Sequence, residues 1–405
     1  MMRSILRFPI LFLGLIALFV LALTLAFVIP NQAVEWHQEY SMVVLDIEEK
    51  WESLGNRYGL FGVPGMPDNS ADRSMIRRTI VEHPEKGAYR SAMHMNGYYR
   101  YWHGYQAVLR PLLVFFQIHQ IRFINGFVFY GLLLAIFLLL YKKNKVAPWL
   151  FLLVMCFCPI TEISPNLHYM STFVPMLCAM VYVLLKNPQR DTGSLSLFFM
   201  AVGMCTSYFD LLSTPLITLG MPLCLCLYLT PDEERFSASF RKLVFSVLAW
   251  GLGYGLCWAA KWLLAFFAGE SNVVQNAMGH GAYWLSGQNG GVDRMHAVLY
   301  NFRGFFLQHG IRSLFFPGIA LLALCFLVLR YHMPVAGCVR KAALFLPVIL
   351  CPYMWYFLMA EHSIHHQWFT FRVQIITLFG IYLMLLSMVD RKRLPVRFLS
   401  PQETE

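Results

Sequence analysis

Three stretches of this chain gather residue types that bind anions, stack on sugars or move protons. The densest runs Tyr98-Tyr99-Arg100-Tyr101-Trp102-His103-Gly104-Tyr105, followed by Arg110-Pro111-Leu112-Leu113. Aromatic rings stack on pyranose faces, and a guanidinium holds phosphate through paired hydrogen bonds. Read as a helix, Tyr98, Trp102, Tyr105, Leu109, Leu112 and Phe116 share one face, with His103, Gln106, Arg110 and Gln117 on another. Pro111 is expected to split this stretch into two short helices, because proline disfavours helical geometry at Arg110. The same composition also describes an interfacial aromatic belt with snorkelling arginines. A second stretch, from Glu361 to Arg372, holds His362, His365 and His366. His362 and His366, four apart, can share a metal if helical. Without a second ligand cluster, contact with phosphate beside Arg372 is the stronger chemical reading; an interfacial loop without special role is the plain one.

The third group is ionisable residues within or next to apolar runs, where a charge costs several kcal/mol and marks a candidate site. Lys261 shares a helical face with Tyr254, Trp258 and Trp262, and its partner is read as either a lipid phosphate or a structural carboxylate. Asp210 ends Thr206-Ser207-Tyr208-Phe209-Asp210 and precedes Ser213-Thr214-Pro215. It reads equally as a functional carboxylate on a polar face or as an N-cap for a helix beginning near Pro215. Glu162, before Ser164-Pro165-Asn166, is similarly placed. Earlier, Trp36, Tyr40, Val43, Ile47, Trp51 and Leu54 recur at helical spacing, with Glu35, Glu39 and Asp46 along one flank. That pattern predicts an amphipathic helix on a membrane surface. Its carboxylates either solvate the polar side or, with Asp46 first, face a cavity above the membrane.

The elements that must position these residues are membrane spans. The chain has 405 residues, of which 58% are hydrophobic and 13% charged; soluble domains carry roughly 25% charged residues. A hydrocarbon core about 30 Å thick calls for roughly 20 apolar residues per helix. Such runs fall at Phe8–Ile29, after Arg3 and Arg7, then near 121–141, 147–163, 167–185, 194–212, 214–229, 243–267, 313–330, 342–360 and 371–389. The first run is longer than a usual signal-peptide apolar region and is read as a retained anchor. With a cytosolic N-terminus, the cytosolic connections are Lys142–Lys145, Lys186–Arg190, Arg235–Lys242, Arg330–Lys341 and the tail with Arg391-Lys392-Arg393. All of them are basic, as the positive-inside rule requires. The expected fold class is therefore all-α: one integral membrane domain over 1–405, with about ten transmembrane helices and both termini cytosolic. Its long outer segments cover 30–120 and 268–312, and a polar tail covers 390–405.

The formal charge of +10 resides in these short basic loops, so it indicates membrane topology and not a nucleic-acid partner. Nine of ten cysteines lie in apolar runs and Cys338 in a basic loop, which leaves no disulfide framework to read. No internal repeat is evident, which weighs against a transporter built from inverted halves.

The layout resembles the GT-C class of membrane glycosyltransferases: a cytosolic N-terminus, one span, a long outer loop with acidic residues and surface helices, then many spans. Arg100 to Tyr105, Arg110-Pro111-Leu112-Leu113 and the His-rich loop ending in Arg372 support it locally. The resemblance implies transfer of a sugar from a polyprenyl-phosphate donor to a glycan, lipid or protein acceptor on the non-cytosolic face, in a bacterial cytoplasmic membrane. It implies a carboxylate base on the acceptor hydroxyl, for which Asp46 and Asp210 are the candidates, and cationic stabilisation of the departing phosphate. Acidic pairs frequent in that class have no clear counterpart in Asp46, Glu48, Glu49, Asp68 and Asp72. Binding of donor and membrane lipid falls to Arg100, Trp102, His103, Arg110, Lys261, His362, His365, His366 and Arg372; a divalent cation, Mg²⁺ or Mn²⁺, remains open. The alternatives are a transporter or flippase of lipid-linked saccharide, and another envelope-glycan enzyme, a polymerase or O-acyltransferase.

Overall fold

Apolar runs bounded by proline and by basic turns form helices because a backbone in hydrocarbon must satisfy its own hydrogen bonds. The computed structural model describes residues 6–53, 69–287, 291–390 and 393. Arg3, Leu54, Asp68, Arg391, Lys392 and the tail from Pro395 lie outside the described residues, as do the side chains of Glu49 and Trp51.

The chain opens with α1 (Arg7–Val28), turns at Ile29-Pro30, and continues as α2 (Asn31–Ser53). Three short helices follow: α3 (Asn69–Arg77), α4 (Ala88–His94) and α5 (Gln106–Leu112). Then come α6 (Ile118–Lys143), α7 (Ala147–Phe157), α8 (Leu167–Lys186), α9 (Thr192–Phe209), α10 (Ile217–Tyr228) and α11 (Phe236–Phe267). The second long connection carries α12 (Val273–Ser286) and α13 (Arg294–Phe306), and the remainder holds α14 (Phe315–Tyr331), α15 (Val335–Leu358), α16 (Ala360–His365), α17 (Gln367–Thr370) and α18 (Ile375–Met388). A four-residue extended segment, Gln308–Ile311, separates α13 from α14.

Among the described residues, eight helical stretches are long and apolar enough to cross a membrane: α1, α6, α8, α9, α11, Gly310–Tyr331, α15 and Gln367–Met388. This is an integral membrane protein. Two of the expected spans are shorter: α7 has 11 residues and α10 has 12. At 1.5 Å per residue they cover about 17 and about 18 Å, well under a core of about 30 Å. Every residue of α10 is buried, so it is a central pillar enclosed by protein. By contrast α1, α6 and α14 turn most of their apolar side chains outward, as lipid-facing helices do.

Helices α9 and α11 approach through small residues. A Cβ at Gly203 would lie 2.2 Å from the Trp250 carbonyl oxygen, and one at Gly253 would lie 2.3 Å from that of Met200. Only glycine fits at either position, which is how helices pack closely where no hydrophobic drive separates protein from lipid.

The α2 pattern holds. Trp36, Tyr40, Val43 and Ile47 stay exposed while Val34, Ser41 and Leu45 face the protein, so the helix carries an exposed apolar stripe. The expected helix through 98–117 forms only in part. Met95, Asn96, Gly97 and His103 adopt positive φ, the left-handed region that breaks a helix. Regular structure resumes at Gln106 and stops at Leu112, one residue beyond Pro111. The helical faces expected from Tyr98 through Trp102 are therefore not formed.

Candidate functional site

The 98–105 segment folds back on itself, and that sorts its side chains. The Trp102 indole donates to the Cys257 carbonyl at 2.8 Å. His103 sits between the Tyr98 carbonyl, 2.8 Å from Nε2, and the Tyr105 hydroxyl, 3.0 Å from Nδ1. Burial holds this imidazole well below the usual histidine range, so it is neutral, with Nε2 donating to the carbonyl. The Gly104 N–H donates to the Tyr208 carbonyl at 2.8 Å, and a Cβ there would meet the Tyr208 ring at 2.3 Å. Trp102 and Gly104 thus anchor the segment to α11 and α9, and His103 ties it to itself, which leaves Tyr98, Arg100 and Tyr101 on the cavity side.

That side holds two adjoining cavities. The first, about 220 Å³, is lined by Tyr98, Tyr101, His168, Trp284, His362 and His366, among others. The second, about 300 Å³, is lined by Arg100, Tyr101, Trp258, Trp262, His280 and Trp284, among others. Tyr101 and Trp284 belong to both walls, and Leu211 and Leu212 each close one of them. Trp284 joins the second long connection to the His-rich loop, with ring centroids 5.3 Å from His362, 5.7 Å from His365 and 5.2 Å from His366. His362 is buried with Nδ1 lacking a hydrogen-bond partner, and burial with its histidine neighbours holds it well below the usual range. A neutral imidazole with an open nitrogen can accept a proton. His365 is exposed and does not line the cavity.

Asp210 lies immediately behind this wall, 1% exposed. One oxygen accepts from the Ser213 N–H at 2.9 Å and from the Ser213 hydroxyl, fixing the turn into α10. The other, Oδ2, has no hydrogen-bond partner. The expected N-cap is not formed: the helix that follows has Leu216 at its N-cap with no side-chain cap, and Asp210 holds only the local turn to Ser213. Asp46 is set apart: it is 55% exposed and ion-paired to Arg73 at 2.7 Å, on the surface helix and not at the cavities.

The cations divide in the same way. Arg110 donates to the Ile29 carbonyl and, at 3.2 Å, to Asn31 Oδ1, pinning the α1–α2 turn. The Lys261 ammonium donates to the Met93 carbonyl at 2.7 Å. Arg372 pairs with Glu162, donates to the Trp368 carbonyl at 2.7 Å and lies 4.4 Å over the Tyr169 ring. None of the three lines either cavity. Arg100 does, and its guanidinium lies 4.3 Å from the Tyr98 ring centroid. Arg78 sits 4.7 Å from the same ring.

Arg78, His168, His280 and Trp284 were not singled out from the sequence. Trp284 follows His280 and Tyr283 in the second long connection, the same mixture of residue types that marked 98–105, and this was the available signal. A further network, also not anticipated, organises the entry to α8. Asp72 accepts from the Leu167 and His168 N–H groups, both at 3.2 Å, and so caps that helix across 95 residues of chain. Arg122 holds Glu48 through contacts of 2.7 and 2.9 Å and Asn69 at 3.1 Å.

Comparison with family models, with curated proteins and with solved structures gave no match. The site must speak through its geometry. Among the described residues, no group of three or more His, Cys, Asp or Glu is set to hold a metal ion. What remains is aromatic platforms, neutral histidines, half-open guanidinium groups and one buried carboxylate with a free oxygen.

Proposed function

We propose that this protein is a membrane glycosyltransferase of GT-C type, which takes a sugar from a polyprenyl-phosphate donor and delivers it to a glycan, lipid or protein acceptor. The supporting observation is a polar cavity built beside an apolar, lipid-facing groove. That groove, about 280 Å³, runs between α6 and α8 past Val108, Val128, Met170 and Val174. Its wall interleaves with that of the His-lined cavity: Met75 follows Ser74, Leu167 precedes His168, and Phe209 precedes Leu211. A lipid-linked sugar has this division, with a hydrocarbon chain that belongs in the bilayer and a polar head that does not.

In this reading Arg78, packed on the Tyr98 ring that lines the His-lined cavity, takes the phosphate. The acceptor hydroxyl attacks the anomeric carbon, the bond from that carbon to the phosphate oxygen breaks, and the phosphate departs with the electron pair. The acceptor proton passes to His362 Nδ1, a ring nitrogen without a hydrogen-bond partner on a residue that lines the cavity. Asp210 is the competing base, and its open oxygen would reach the cavity through movement of Tyr101. With α7 and α10 counted as buried spans, the count reaches ten and the basic connections Lys142–Lys145 and Arg330–Lys341 fall on the cytosolic side.

The test is incubation of the purified protein with radiolabelled polyprenyl-phosphate sugars and membrane glycan acceptors, with and without Mg²⁺ or Mn²⁺. Label should move from lipid to acceptor, and His362→Gln should slow transfer by about a hundredfold, the scale of one lost general base. Loss on Asp210→Asn with His362→Gln still active would move the base to Asp210. Label bound and translocated across proteoliposomes without a covalent product would replace this reading with the flippase.

A further inference from the structure

The second cavity differs from the first in a way that the donor does not require. Its floor is Trp258 and Trp262, one turn apart on α11, with ring centroids 6.0 Å apart and 32° between planes. Tyr101 stands edge-on to Trp258 at 5.6 Å, and Trp284 closes the far side from α12. Two polar features interrupt this aromatic box. The Trp258 indole N–H is buried and has no hydrogen-bond partner, although the neighbouring Trp262 N–H donates to the Arg100 carbonyl at 3.0 Å. The Arg100 guanidinium lies on the wall, its Nη1 3.3 Å from Asn276 Oδ1 and its Nε without a partner.

Three ligand classes suit an aromatic box, and these polar atoms separate them. A hydrocarbon chain would leave the Trp258 N–H unsatisfied, and an unmade buried hydrogen bond is costly. A quaternary ammonium would enjoy the rings but meet a fixed positive charge at Arg100. A saccharide offers C–H faces to the rings and a hydroxyl to the indole N–H, and an anionic substituent suits the guanidinium. The roof supplies an entrance. Val274, Met278 and Leu285 of α12 are exposed, so this helix rests with an apolar edge on the membrane surface and its cavity opens at that level.

We propose that the tryptophan-lined cavity is a saccharide acceptor site, distinct from the His-lined cavity, and that it binds a pyranose carrying an anionic substituent through stacking on Trp258, Trp262 and Trp284, the Trp258 N–H and Arg100. The word acceptor rests on the transferase reading; the saccharide recognition does not. Sharing Tyr101 and Trp284 with the first cavity brings the bound sugar next to His362, so one wall serves both substrates.

The experiment is binding of neutral, uronate-bearing and phosphate-bearing oligosaccharides to the nanodisc-embedded full chain, read by saturation-transfer NMR and by tryptophan fluorescence. Acidic oligosaccharides should bind in preference to neutral ones. Trp258→Phe, which keeps the ring and removes the donor, should weaken binding several-fold, and Trp284→Ala by tenfold or more. Arg100→Gln should abolish the preference for acidic over neutral sugars. Unfolding temperature serves as the control, and Trp258→Phe is the variant that keeps the test valid if Trp284→Ala does not fold. Absence of binding across the whole panel overturns the proposal, as does binding that Trp258→Phe and Arg100→Gln leave unaltered. Saccharide binding without any transfer would sustain this site and sink the transferase reading. Transfer with an unchanged acceptor KM in Trp258→Phe would do the reverse.

Discussion

Arg110, Lys261 and Arg372 occupy one kind of place in this molecule, and Arg78 and Arg100 another. The first three are fully enclosed and each donates to a backbone carbonyl: Ile29, Met93 and Trp368. The second pair flanks the Tyr98 ring, half-buried; Arg100 lines a cavity, and Arg78 donates to the Ser74 carbonyl at 2.8 Å. Both groups look alike in a sequence, since each puts a cation among aromatic and apolar neighbours. What separates them is enclosure and access: the first three are fully buried and line neither cavity, and the second pair is half-buried against a ring that lines one of them. In a membrane protein a fully enclosed charge bonded to carbonyls acts as a strut, and the half-buried cation beside a cavity is the one that can meet a ligand.

The largest effect should come from cutting a strut. Arg372→Ala leaves the Glu162 carboxylate without the guanidinium beside it, and removing one member of a buried pair costs about 3–5 kcal/mol. Thermal unfolding in nanodiscs should fall accordingly. The double variant Arg372→Met with Glu162→Gln should recover most of the loss, because apolar replacement of a whole buried pair is often neutral. A single variant with wild-type stability and lost transfer would instead put Arg372 with the ligand-facing cations.

Opening the other side of the comparison should leave stability alone. Arg100→Ala should lower kcat/KM by about a hundredfold, roughly 2.7 kcal/mol, through loss of the charge-assisted contact to the acceptor. Arg78→Ala, farther from the second cavity, should cost about tenfold. Unfolding temperatures of both should match wild type. A stability loss as large as that of Arg372→Ala would erase the distinction.

The sequence reading stopped at a boundary set by distance along the chain. Hydropathy and basic turns made the long helices legible because each property is local to its own run. The length of α7 and α10 was less so: Cys158-Pro159 ends α7 early, and the turn fixed by Asp210 and Ser213 delays the start of α10. Tyr98, Tyr101, His362 and His366 were legible as chemistry-bearing residues, and the fold brings them to one cavity. The spending of Lys261 on Met93, 168 residues away, could not be read, nor could the pairing of Arg372 with Glu162, 210 residues away. Trp102 and His103 were turned inward by a left-handed residue at 103, a backbone choice that residue type alone does not announce.

A pH measurement sharpens the contrast among the histidines. His362 and His103 are held neutral by burial, with proton affinity well below the unfolded value of about 6.5. The unfolded chain therefore binds more protons in this window, and stability should fall as pH drops from about 7 through 6.5 and below. His362→Gln should flatten part of that decline, and His365→Gln, at an exposed position, should not. An equal flattening by both would mean that the loop titrates as a unit.

The smallest effect is expected at Lys261, the residue whose sequence context argued most strongly for ligand binding. Its ammonium lies 6.0 Å from the Trp102 ring centroid and 2.7 Å from the Met93 carbonyl, and no carboxylate pairs with it directly among the described residues. The nearest acidic group in the same neighbourhood, Glu270, is engaged by His94 at 2.5 Å. Replacing a buried ammonium with an apolar chain of similar length removes a desolvation cost together with one hydrogen bond, and these terms offset. Lys261→Met should change stability by no more than about 1 kcal/mol and leave transfer within a factor of about two. Should transfer vanish while the fold survives, the strut would prove to be a ligand-facing cation after all, and enclosure by carbonyls would cease to be a sufficient criterion in this protein.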